Sequence, residues 1–324
     1  MENSEQEKFA LPTATKSDSE PRRVGIEFEF GGLDLESVAQ IVTDTLGGKL
    51  GEKNAAEQSV EIDGLGKFNI EVDWDLLKRL SDNKDVPQFL TQALSDSATV
   101  IVPIEIVCPP IIPQQLNRLD GLVEKLREAG AQGTEQSWMN AFGLHINVEL
   151  PDCEAETLDR YLKAYVLLQD WLVKQSAVDL SRRVTPYIDL FPEEYLVQVL
   201  RRSKPELTDI FEDYLQHNLT RNRALDLLPL LAHLDEDRVR ASIDDNRIKP
   251  RPAFHYRLPD CRLDNPDWSL AEPWELWCAV ERLADNKELL DQVVERALQD
   301  EAGRPALLNK NWCERVSEWL PQSE

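Results

Sequence analysis

In the stretch RRVGIEFEFGG, Val24, Ile26, Phe28 and Phe30 alternate with Gly25, Glu27 and Glu29. A period of two marks a β-strand, with successive side chains on opposite faces. Here one face is apolar and the other carries two carboxylates, although glutamate is not a favoured strand residue. The next segment, DLESVAQIVTDTLGG, changes period. Leu35, Val38, Ile41, Val42 and Leu46 form a stripe at helical spacing, with Asp34 placed to cap it and Gly47-Gly48 to end it. Two strands follow, SVEID and KFNIEVDW, joined across Gly64-Leu65-Gly66. The pattern then predicts a helix near Pro87–Leu94, a strand in ATVIVPIEIVCPP, an amphipathic helix over 113–130 and a strand in NAFGLHINVELP. Beyond these the period is helical over 154–177, 192–202, 205–217 and 223–234. One more strand candidate, PAFHYRLPDC, sits at 252–261, and 272–320 reads as mostly helical. Strands mainly first and helices mainly later predict an α+β fold rather than a doubly wound parallel sheet. Its sheet falls mainly in 23–150 and 250–262, its helices in 151–248 and 272–320.

The other strands repeat the division of the first. Phe68, Ile70, Val72 and Trp74 oppose Asn69, Glu71, Asp73 and Asp75; Ile104 and Ile106 oppose Glu105; Leu144, Ile146, Val148 and Leu150 oppose His145, Asn147 and Glu149. A sheet with one wet face explains any single strand. A wet face, however, usually mixes Thr, Ser, Lys and Arg, whereas these faces hold almost only Glu, Asp, Asn and His. Gathered on one sheet, such carboxylates repel and call for a cation. Hard oxygen ligands with one imidazole suit magnesium or manganese. On the residues alone, a solvated face and a metal face both stay open.

Charge narrows the partners. The chain has 324 residues, 42% of them hydrophobic, with 36 Lys+Arg against 60 Asp+Glu and a net charge of −24. That balance argues against nucleic acid and against an anionic membrane surface, both of which need a basic stripe. Five scattered cysteines without a C-x-x-C predict neither a disulfide framework nor a structural zinc. Four histidines leave little material for a histidine zinc site or a Ser-His-Asp hydrolase, and the P-loop, G-x-G-x-x-G, G-x-S-x-G and H-E-x-x-H patterns are absent. Residues 1–22 read as a flexible polar tail without the pattern of a secretory signal, and 23–324 as one domain of a cytoplasmic protein.

The order of GIEFEF, a strand with Asp between hydrophobics, PIEIVCPP, GLHINVEL and FHYRLPDC resembles the amidoligase family, relatives of glutamine synthetase and glutamate–cysteine ligase. PIEIVCPP is similar to the family's E-hydrophobic-V-S-P element with Cys108 at the Ser. GLHINV is similar to its G-x-H-x-H strand with Asn147 at the second His, and FHYRLPDC to its E-x-R strand with His255 at the Glu. The resemblance covers Val24 to Cys261. It implies a curved, mainly antiparallel sheet with metal and ATP on the concave face and helices packed outside. It also implies a reaction: ATP converts a carboxylate to an acyl phosphate, and an amine displaces phosphate to give an amide. On this resemblance Glu29 and Glu105 with Asp73 hold one Mg²⁺ or Mn²⁺ ion, and Glu27, His145 and His255 a second. Asn147 hydrogen-bonds phosphate or substrate. Arginines meet phosphoryl oxygens through their planar forks. Arg257 is first by motif position, with Arg182 and Arg183 beside it as catalytic candidates and Arg221, Arg223 and Arg251 as ATP-binding ones. The implied partners are small-molecule or peptide carboxylate and amine substrates. The oligomeric state is left open. Two rival functions also remain: a phosphotransferase or ATPase on the same face, and a non-catalytic acidic interaction protein, to which His255 and Asn147 point.

Overall fold

The computed structural model describes residues 8–54, 56–73, 102–134, 142–176, 188–301 and 303–320. Its centre is strand β1 (Val24–Phe30), whose Val24, Ile26, Phe28 and Phe30 are fully buried. Around it lie β2 (Gly48–Lys53), β3 (Glu57–Ile62), β4 (Gly66–Val72), β5 (Ile104–Val107), β6 (Leu144–Glu149), β7 (Leu225–Asp226) and β8 (Ala253–Tyr256). They form one sheet in the order β2-β3-β4-β5-β1-β6-β8-β7, with neighbouring strands antiparallel. The fold is α+β, as the strand and helix order predicts.

Helices cover the apolar face. Helix α1 (Leu35–Leu46) lies over β2, β3 and β4, and α2 (Asn117–Glu128) packs on α1. Asp34 caps α1 by accepting from the Ser37 backbone N–H at 2.9 Å, and Gly47 ends it at a φ of 77°, where glycine carries no Cβ penalty. At the other end of the sheet, helix α3 (Ala155–Gln175) stacks Tyr161 on Phe254 of β8, with ring centroids 5.3 Å apart. Around α3 pack α4 (Glu193–Arg201), α5 (Leu207–His217), α8 (Ala271–Asp285), α9 (Lys287–Leu298) and α10 (Trp312–Trp319). Trp277 of α8 touches both Phe254 and Tyr256, each at 5.5 Å. Burying side chains of this size is worth roughly 1.5–3 kcal/mol apiece, so this aromatic group clamps β8 to the helical layer. Two short helices, α6 (Leu228–Leu234) and α7 (Glu236–Ser242), follow β7, and a small hairpin, β9 (Asp300–Glu301) and β10 (Arg304–Pro305), precedes α10. Among the described residues no helix is long and apolar enough to cross a membrane, and the five cysteines form no disulfide.

The structure departs from the sequence pattern in four places. Gly48–Lys53 is a strand without apolar alternation, paired through β3 at the sheet edge. The helix expected over 223–234 begins only at Leu228, and Leu225–Asp226 is a strand on β8. Pro229 explains this, since it fits the first turn of a helix but breaks an interior. Helix α7 falls where the pattern shows none. Residues 8–22 also pack on the fold: Phe9 and Leu11 are in the core and Arg22 is fully buried, although the stretch is polar on average. The helix near Pro87–Leu94 and the ends of three expected strands, including Trp74 and Asp75, lie outside the described residues.

Candidate metal centre

Register brings the polar residues of separate strands side by side. Glu27 of β1 faces His145 of β6, and Glu29 faces Glu105 of β5. Glu105 in turn faces Glu71 of β4, which faces Glu57 of β3. On the other side Gly25 faces Asn147, Asn147 faces His255 of β8, and His255 faces Asp226 of β7. The alternation that buries the apolar face therefore assembles carboxylates and imidazoles in rows on the opposite one.

Two groups of donor atoms converge there. One ligand atom each from Glu27, His145 and His255 lies within 4.8 Å of the others, and the same holds for Glu29, Glu105 and His145. His145 Nδ1 is 2.8 Å from Glu27 Oε2, and its Nε2 is 3.4 Å from Glu29 Oε1. Asn147 Nδ2 donates to Glu27 Oε1 at 2.9 Å, and the Gly143 backbone N–H donates to Glu29 Oε2 at 2.6 Å. Arg251 sets its fork, Nε at 3.0 Å and Nη2 at 2.7 Å, on Asn147 Oδ1. That arginine therefore orients the amide that holds Glu27.

The electrostatics follow from crowding. Burial, then the charges of Glu27, Glu29, Asp73 and Glu71, push the Glu105 carboxyl well above its usual range. Burial raises Glu71 too, reinforced by Glu57 and Glu27 and opposed by Lys249. Burial would also raise Glu27, but its contacts with His145 and His255 hold it well below the ordinary value. Burial lowers His145, against the pull of Glu29 and Glu27 and helped by Arg257, so the ring is neutral at pH 7. A neutral His145 that donates from Nδ1 to Glu27 turns a lone pair at Nε2 toward the Glu29 carboxylate. Acceptor facing acceptor is unfavourable unless a cation stands between. The donor set, oxygens with imidazole nitrogen, fits a divalent ion of the magnesium or manganese kind.

The structure thus brings Glu27, Glu29, Glu105, His145 and His255 together, with Asn147 and Arg251 beside them. His145 belongs to both groups rather than to the Glu27 group alone. Asp73 lies just past β4 and acts on Glu105 through its charge, but register puts Glu71 rather than Asp73 across from Glu105. Arg257 is buried, donates from Nη1 to the Arg221 carbonyl and is close enough to act on His145. Arg223 is directed to the carbonyls of Leu190 and His217, at 2.6 and 2.9 Å, and Arg221 has Nη1 4.0 Å from Asp245. Arg182 and Arg183 lie outside the described residues. Two members of the site were not singled out from sequence. Glu71 was visible on the polar face but required register to rank above Asp73. Asp226 was hidden in a segment that reads as helix. Farther along the same sheet, a cavity of about 490 Å³ is lined by Glu52, Lys53, Asn54, Glu57, Ser59 and Lys67.

A family model described as "Putative amidoligase enzyme" matches residues 20–279, from just before β1 into α8. No curated protein matches the chain.

Proposed function

The chain belongs to the amidoligase family, and from that premise we propose that it is an ATP- and Mg²⁺-dependent carboxylate–amine ligase that works on the polar, concave side of its sheet. The observation that carries the reading is the convergence of Glu27, His145 and His255, and of Glu29, Glu105 and His145, where part-buried carboxylates crowd one another. These residues would hold the divalent ions. Bound there, such ions neutralise phosphate charge and orient the group that is transferred. A carboxylate is a poor electrophile, and its phosphorylation by ATP to an acyl phosphate lets an amine displace phosphate.

The protein's own groups have separable tasks. Glu27 is fixed by Asn147, which Arg251 fixes in turn, so one ligand is oriented before anything binds. Gly143 does the same for Glu29 through its backbone N–H. Arg257, beside His145, is the cation best situated to meet charge that develops on phosphoryl oxygens. The row Glu29–Glu105–Glu71–Glu57 leads from the ligands to the cavity with Lys53 and Lys67, which offers room and positive charge for a small substrate.

The test is ADP release with Mg²⁺ or Mn²⁺ across a panel of carboxylates and amines, with mass spectrometry of the product. Release that requires both substrates is expected. Arg257→Ala should lower turnover by ~10²–10³ under conditions where the variant remains folded, and Arg257→Lys should also be impaired because it loses the planar fork. ADP release without an amine would instead favour a phosphotransferase or ATPase. No nucleotide turnover with any pair would overturn the ligase reading.

A further inference from the structure

His255 is suspended between two carboxylates. Its Nδ1 is 3.5 Å from Asp226 Oδ2, its Nε2 is 3.6 Å from Glu27 Oε2, and neither nitrogen has a hydrogen-bond partner within normal distance. His145 stands edge-on at a centroid distance of 5.1 Å. A neutral imidazole has one proton to give, and the two acceptors are not equivalent. Glu27 already receives Asn147 Nδ2 on Oε1 and faces His145 Nδ1 on Oε2. Asp226 is 1% exposed; the Leu228 backbone N–H, at 2.9 Å, and the Tyr214 hydroxyl both address Oδ1. Oδ2 meets His255. Among the described residues Oδ2 has no other donor facing it, whereas both oxygens of Glu27 are already met, so the proton belongs on Nδ1.

We infer that Asp226 is a positioning residue: it holds His255 as the Nδ1–H tautomer and so turns the Nε2 lone pair toward Glu27, the side on which a divalent cation would bind. The metal half of this inference rests on the ligase reading; the tautomer half does not. The arrangement is the carboxylate–histidine pairing that orients imidazole ligands and raises their basicity. It also couples two positions of this chain. A carboxylate at 255 would confront Asp226, so His255 and Asp226 form a matched pair in which neither is replaced alone without cost.

The first experiment is long-range ¹H–¹⁵N NMR of metal-free protein at alkaline pH, with His255 assigned among the four histidines by its loss in His255→Gln. Wild type should show the Nδ1–H form. In Asp226→Asn the amide oxygen keeps the bond from Leu228 while its NH₂ faces Nδ1, so the ring should switch to Nε2–H. An Nε2–H ring in wild type, or the same tautomer in both proteins, would overturn the inference. The second experiment measures Mn²⁺ affinity from the EPR signal of the free ion. Asp226→Asn should weaken binding about 10–100-fold. In a His255→Glu background the sign should reverse, since the same change then removes a like-charge repulsion. An equal loss in both backgrounds would mean that Asp226 acts only by holding Leu228, and the inference would fail. If wild type binds no Mn²⁺ while the tautomer behaves as expected, the ligase reading falls and the positioning role of Asp226 stands.

Discussion

Glu105 is where the cost of the polar face concentrates. Four other carboxylates reach it, and burial with their charges lifts its pKa well above the usual range. A divalent ion needs the ionised form, so loading must expel a proton. Calorimetry of Mg²⁺ or Mn²⁺ binding in buffers of different ionisation enthalpy should show that release, and affinity should rise with pH until Glu105 has ionised. The sign for stability is the opposite. The folded, metal-free protein holds this proton more tightly than the unfolded chain does. The contribution of Glu105 to stability is therefore fully present below the ordinary carboxylate pKa and is lost as pH rises through the elevated one. Glu105→Gln removes that penalty. It should raise the melting temperature of metal-free protein at neutral pH and abolish both proton release and metal-induced stabilisation. A metal-free variant that melts at or below wild type at neutral pH would show that Glu105 carries no such strain.

Elements were legible where one residue-level rule governed them. Asp34 before an apolar stripe fixes the start of α1, and its carboxylate does accept from Ser37. Asp34→Ala should cost about 1 kcal/mol by urea denaturation, within the 0.5–2 usual for such caps. The Ser37 backbone N–H holds the Asp34 carboxyl below its usual value, so this contribution is present above the unfolded pKa and is lost as pH falls through the folded one. Mn²⁺ affinity should not move, because α1 lies across the apolar side of β2–β4. If metal affinity fell with the cap, the two sides of the sheet would be coupled in a way the packing does not show. The strands carrying Glu27, Glu29, Glu105, His145 and Asn147 were legible by their period of two. Which carboxylate meets which was not, because register is a long-range property: Glu71 and Asp73 share a face, and only pairing with β5 separates them. β2 and β7 had no pattern to read. GKLGEK is held by its backbone pairing to β3 rather than by buried side chains, and Leu225–Asp226 borrows the apolar spacing of the helix after it. Pro229 marks that boundary, and the apolar spacing around it masks Asp226.

At the scale of the whole molecule, a chain of net charge −24 buries a bidentate ion pair whose partners are 259 positions apart in sequence. Arg22 and Glu281 are both fully buried, with Nη2–Oε1 at 2.7 Å and Nη1–Oε2 at 2.8 Å. Arg22 also donates to the carbonyls of Glu149 and Thr13, each at 2.7 Å, and Trp277 Nε1 donates to Glu281 at 2.8 Å. The pair thus joins the N-terminal segment, the end of β6 and α8, which is why a polar stretch that looks like a tail is fastened down. Composition cannot reveal this, because nothing near Arg22 in sequence distinguishes it from Arg23, which is exposed. Arg22→Ala strands a carboxylate in the core and should cost roughly 3–5 kcal/mol in denaturant unfolding. Burial already raises the Glu281 carboxyl in spite of Arg22, and without the arginine it will take up a proton more readily still. The loss should therefore shrink as pH falls, since protonation relieves the stranded charge. Replacing both partners with apolar residues, Arg22→Met with Glu281→Leu, removes both charges at once and should recover most of the stability. A double variant no more stable than Arg22→Ala would mean that the bonds to Glu149 and Thr13, rather than the ion pair, hold the segment in place.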